Sequence, residues 1–161
     1  MKKTSFPGKI SAAIICIALL TSLSSCSKKN DDPGSPETPK GKNAKFTISV
    51  TGAPESAYIS FVIAGSGSDL SKTTIWKTNN VTQNNEQVVS LGRNDFTGST
   101  KTYIIESVIP LQAISVGVQC LSPANVPYTI SYKAEINGEV KADNQNVQVT
   151  NNNDFTHDYT Y

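Results

Sequence analysis

From residue 44 to the C-terminus, apolar side chains recur at every second position, and no stretch carries the 3.6-residue stripe of an amphipathic helix. Phe46, Ile48 and Val50 alternate with Lys45, Thr47, Ser49 and Thr51. Ile59, Phe61 and Ile63 repeat the pattern, with Tyr58 and Val62 making the opposite face partly apolar. Ile114, Val116, Val118 and Cys120 form a third run, and Tyr128, Ile130, Tyr132, Ala134 and Ile136 a fourth. Weaker strand signals cover residues 72–78, 86–91, 102–109, 147–150 and 154–160. A period of two places alternate side chains on opposite faces of a strand, so each run has a face that must be buried.

Turn residues separate these runs: Gly52-Ala53-Pro54, Gly65-Ser66-Gly67-Ser68, Asn79-Asn80, Gly92-Arg93-Asn94, Ser122-Pro123 and Asn137-Gly138. The pattern predicts an all-β module over residues 44–161, an antiparallel β-sandwich of seven to nine strands. Asn137-Gly138 suits a type I′ hairpin. A two-residue loop there would put Val140 on Glu135's face rather than Ile136's, so either the loop is longer or carries a bulge, or the ribbon has both faces partly covered, and a longer loop is the favoured expectation. Trp76, on the third predicted strand, makes the module resemble immunoglobulin-like sandwiches in architecture. Cys120 has no second cysteine in the module to bridge the sheets, and the resemblance implies no function.

The chain has 161 residues with 14 Lys and Arg against 13 Asp and Glu. From residue 44 onward the balance is 7 to 10, a net of −3, which argues against nucleic acid as a partner. Hydrophobic residues make up 37% of the chain, too many for a disordered one. Residues 27–43, in contrast, contain Pro33, Pro36 and Pro39 and no large apolar residue, which predicts an extended tether.

Ahead of the tether lies a differently built segment. Lys2, Lys3 and Lys9 precede an uncharged apolar run over residues 10–20. As a helix, those 11 residues would span about 16 Å, half of the roughly 30 Å hydrocarbon core, so they suit a signal-peptide core rather than a transmembrane span. Leu23-Ser24-Ser25-Cys26 follows. This ordering resembles the type II signal peptide and lipobox of bacterial lipoproteins, in which small residues admit a peptidase and the cysteine thiol becomes a thioether. The resemblance implies that residues 1–25 are removed and that Cys26 becomes the diacylglyceryl-modified, usually amide-acylated, first mature residue. Two or more acyl chains anchor a protein stably, where one does so only marginally. The next residues, with Lys28, Lys29, Asp31 and Asp32, resemble the polar, acidic export signal after the lipidated cysteine in Bacteroidetes lipoproteins. Position 27 is Ser. Together these features imply a membrane partner through the lipid anchor and an outer-membrane location, the module facing either the exterior or the periplasm.

Catalytic chemistry has little to work with. The one histidine, His157, lies far in sequence from Cys120, and no G-x-S-x-G elbow is present. Cys120 reads as a small buried hydrophobe and His157 as an edge or packed residue. Asp154 and Asp158 on one strand would stand about 13 Å apart, beyond a glycosidase pair. Asp154 with Asn151, Asn152 and Asn153 offers oxygen donors of the kind calcium takes, without a D-x-D-x-D-G loop. Gly65-Ser66-Gly67 lacks the third glycine and the helix of a dinucleotide fingerprint and reads as a flexible loop. The sequence therefore predicts no catalytic residues, no metal and no cofactor. It predicts a non-catalytic sandwich that binds an envelope component, protein or glycan, with an assembly module as the alternative and a small hydrolase third.

Overall fold

The computed structural model describes residues 40–161. Cys26, the lipobox residues Leu23, Ser24 and Ser25, and the export-signal residues Lys28, Lys29, Asp31 and Asp32 lie outside the described residues.

Ten strands form two antiparallel sheets. In chain order they are β1 (Ala44–Thr51), β2 (Tyr58–Ser66), β3 (Trp76–Thr78), β4 (Val81–Gln83), β5 (Val88–Gly92), β6 (Thr100–Ser107), β7 (Ala113–Leu121), β8 (Tyr128–Ile136), β9 (Glu139–Val149) and β10 (Phe155–Thr160). The larger sheet runs β4-β3-β6-β1-β8-β9 and the smaller β10-β7-β2-β5. The two-layer all-β sandwich expected from the alternation is the observed fold. The alternating faces are also the buried ones: Phe46, Ile48 and Val50 from β1, Phe61 and Ile63 from β2, and Val116 and Cys120 from β7 are fully buried between the sheets. Each large side chain so placed contributes about 1.5–3 kcal/mol.

Several features depart from the sequence reading. Residues 72–75 are not strand, because Asp69 caps a tight turn through the Ser71 backbone N–H and hydroxyl, at 3.0 and 2.6 Å. β4, with no apolar alternation, follows from Asn79 and Asn80, whose φ values of 48° and 67° make a two-residue hairpin that pairs Thr78 with Val81. The Asn137-Gly138 loop, expected to be longer, also has two residues, at φ 53° and 80°, with Ile136 opposite Glu139. The register conflict is resolved by a bulge: Glu135 faces Val140 but Ala134 faces Ala142, so Lys141 is the extra residue and Val140 stays 47% exposed.

Gly65 and Ser66 likewise are not a flexible loop. They extend β2, pairing with Ile114 and Ala113. Gly65 lies under Trp76, and a Cβ there would fall 2.8 Å from the indole and 2.9 Å from the Leu111 side chain. Gly65→Ala is expected to cost about 1–3 kcal/mol through overpacking, read as a lower urea midpoint with an unchanged slope.

The chain enters the module earlier than residue 44. Lys42 and Leu111 exchange backbone hydrogen bonds of 2.7 and 2.9 Å. The Asn43 N–H donates to Asn137 Oδ1 at 2.8 Å, and Asn137 N–H donates back to the Asn43 carbonyl at 2.8 Å. The Ala44 N–H then donates to Ser107 Oγ at 2.9 Å.

Candidate binding groove

The two long sides of the sandwich are closed differently. Where β9 and β10 meet, aromatic rings fill the seam: Tyr132 stacks on Tyr159 at 5.2 Å, Tyr159 on Tyr161 at 6.0 Å, and Tyr132 on Phe46 at 6.4 Å. Their hydroxyls join in, Tyr132 to Tyr161 at 3.3 Å and Asn144 Nδ2 to Tyr159 at 3.5 Å. Burial holds the phenols of Tyr132, Tyr159 and Tyr161 above the ordinary tyrosine pKa, so they stay protonated donors.

Along the opposite side, where β3 and β4 face β5, the main link is Trp76. Its Nε1–H donates to the Gln87 carbonyl at 3.0 Å, and the indole packs on Phe46 at 6.2 Å. Beyond Trp76 the seam opens into a groove of about 480 Å³ lined by Thr78, Gln83, Glu86, Val88, Val89, Ser90 and Leu91. That size lies within the range of ligand pockets. The β4–β5 connection is held by Asn85, at φ 59°, whose N–H donates to Thr74 Oγ1 at 2.9 Å and whose Oδ1 accepts from Thr73 at 3.2 Å.

Among the described residues, two buried side-chain polar atoms lack a hydrogen-bond partner: Arg93 Nε and Thr78 Oγ1, the latter on a residue that lines the groove. A buried hydroxyl left unpaired costs about 1–3 kcal/mol. The Glu86 carboxylate at the same groove is exposed and joins none of the four ion pairs among the described residues. A hollow of about 260 Å³ on the outer face of the larger sheet is bordered by hydroxyls that bond one another, Ser49 to Thr102 at 2.7 Å and Thr51 to Thr100 at 2.9 Å.

The side chains weighed from the sequence do not assemble into a reactive centre. Cys120 is fully buried, and burial pushes its thiol up to about 12. His157 is exposed on β10, its ring 4.5 Å from Phe155 and 5.6 Å from Tyr159. Asp158 sits opposite Gly117 in the β10–β7 pair, while Asp154 lies in the turn before β10. The Asn153 side-chain Nδ2 donates to the Gln148 carbonyl, and no three His, Cys, Asp or Glu side chains converge among the described residues. Trp76 is wholly buried, whereas Tyr58 lies on the outer face of the smaller sheet. The groove itself was not foreseen, because its polar members are spread from residue 78 to residue 90 and meet only through the packing of two sheets.

No family model matches the chain, and no curated protein is significantly similar to it. Solved structures do resemble it. One is the calcium-bound form of a protein from Parabacteroides distasonis, determined by NMR, with TM-score 0.51, 16% identity, and coverage of 82% of this chain and 99% of that one. Another is a DUF4425 family protein from Bacteroides ovatus, with TM-score 0.51, 9% identity, and coverage of 76% and 94%. At these identities the likeness shows a shared sandwich fold.

Proposed function

We propose that the chain is an outer-membrane lipoprotein, anchored through an acylated Cys26, whose non-catalytic sandwich binds an envelope ligand, protein or glycan, in the groove between β4 and β5. The observation that carries the binding reading is the groove of about 480 Å³ lined by Thr78, whose buried hydroxyl has no partner. A site that hydrogen-bonds its ligand leaves such a group unpaired when empty, whereas a sealed core does not. The inert thiol of Cys120 and the isolation of His157 support a role without covalent chemistry. No helix among the described residues is long and apolar enough to cross a membrane, so attachment in this reading falls to the lipid.

The test uses the full chain extracted from membranes in detergent. Mass spectrometry is expected to find a mature N-terminus at Cys26 carrying the mass of a diacylglyceryl group and an amide-linked acyl chain; an unmodified Cys26 would remove the anchor. The same preparation is expected to retain an envelope fraction (outer-membrane proteins, peptidoglycan or lipopolysaccharide), and Thr78→Phe, which fills the groove, to lose it by at least tenfold. Retention unchanged in Thr78→Phe would place the site elsewhere, and retention of nothing would end the binding reading.

A further inference from the structure

We propose that the groove takes an extended, basic peptide segment, which adds as a fifth strand to the open edge of the smaller sheet at β5. This rests on the groove being the binding site and goes further by naming the ligand class.

The edge itself is the first observation. A sheet edge is ordinarily guarded by shortness, charge, proline or a bulge, because its free N–H and C=O groups template pairing with another chain. Three of the four edges here are guarded: β4 has three residues, β9 is broken by two register shifts, and β10 carries Asp158. β5 reads Val88-Val89-Ser90-Leu91-Gly92, with no charge, no proline and no bulge.

Its hydrogen-bonding parity comes next. The Gly65 N–H donates to the Gln87 carbonyl at 3.1 Å, so the alternation of an antiparallel ladder turns Gln87, Val89 and Leu91 toward β2. Val88, Ser90 and Gly92 then direct their backbone groups outward. The Gly92 N–H is already taken by Asp95 Oδ2 at 2.7 Å, which agrees with that direction and ends the free edge. Val88 and Ser90 present the remaining donors and acceptors at strand spacing, beside the groove that Thr78 lines.

Charge and shape select among occupants. Glu86 stands unpaired at the groove, which favours Lys or Arg in the incoming strand. No aromatic side chain lines it, so a sugar ring finds no stacking surface there. Main-chain bonds to the edge supply affinity and alternate side chains supply selectivity, as in other strand-addition sites.

The experiment titrates the full chain in detergent micelles into two fluorescein-labelled nonapeptides of alternating Thr and Val, one with a central Lys and one with a central Glu. Fluorescence anisotropy is expected to show the Lys peptide binding at least tenfold more tightly, with the preference reversed in Glu86→Lys. Ser90→Pro removes an outward N–H while leaving the β2 ladder intact, a substitution edge strands accept, and is expected to weaken binding at least tenfold. Amide exchange on the unaltered chain gives a second readout: the Val88 and Ser90 N–H groups should become protected at saturating peptide. Binding that survives Ser90→Pro, or no gain of protection at Val88 and Ser90, overturns the proposal. Retention of an envelope fraction without affinity for either peptide also overturns it, leaving the broader binding role standing.

Discussion

Trp76→Ala is expected to lower the stability of the module by about 3–5 kcal/mol, the range for deleting a large aromatic from a packed core. Trp76 is wholly buried, contacts Phe46, and spans from β3 of one sheet to the Gln87 carbonyl at the start of β5 in the other. Its removal therefore leaves a cavity and cuts the tie that holds the groove walls together. For a module of this size the thermal midpoint should fall by about 10–20 °C, followed by far-ultraviolet circular dichroism. Trp76→Phe keeps most of the apolar volume and loses the N–H donor. The Gln87 carbonyl still accepts from Gly65, so the expected cost is smaller, about 1–2 kcal/mol. A loss below 1 kcal/mol for Trp76→Ala would show that the sheets are held apart from this side chain.

The second large effect is alkaline. Burial raises the Cys120 thiol from its ordinary value of about 9 to about 12, and raises the Tyr128 and Tyr132 phenols above theirs. In each case the unfolded chain loses its proton at lower pH than the folded one. Above the unfolded pKa the unfolded state therefore binds fewer protons, and stability falls as pH rises. For Cys120 the contribution is complete below pH 9 and is withdrawn between pH 9 and 12, and for the two tyrosines the withdrawal begins near pH 10, at about 1.4 kcal/mol per pH unit for each group. Cys120 alone accounts for about 4 kcal/mol across that window. Urea midpoints measured at pH 7, 9, 10 and 11 should be level at first and then fall steeply. Cys120→Ala should flatten the first part of the fall, between pH 9 and 10, before the tyrosines of the unfolded chain begin to ionise. A midpoint unchanged to pH 11 would contradict the burial of these groups.

Much of the sandwich is legible in the chain because one physical constraint writes it. β1, β2, β7 and β8 each bury a single face, so Phe46, Ile63, Val118 and Ile130 fall on the inward parity without knowledge of their partners. What escaped is what parity does not govern. β9 is an edge strand with two register shifts and polar side chains on both faces, so only its end, within residues 147–150, carries a strand signal. β4 exists because two left-handed asparagines turn the chain, a backbone property carried by Asn79 and Asn80 rather than by the residues of the strand. The Gly65 strand end resembles a loop because a glycine needed for close packing looks the same in sequence as one needed for freedom. The groove is the extreme case: Thr78, Glu86 and Ser90 are unremarkable polar residues until two sheets bring them to one opening.

The way the chain enters the module sets how the sandwich bears a load. Residues 42–44 are fastened to Leu111, Asn137 and Ser107, and then run straight into β1, which has β6 on one side and β8 on the other along its whole length. A pull on the leading end, directed along β1, strains both flanking ladders in shear, so many hydrogen bonds must yield together rather than one after another. The trailing end, in contrast, finishes on β10 at a sheet margin, where bonds can peel in sequence. The described module is mechanically polar, stronger where β1 enters it than where β10 leaves it.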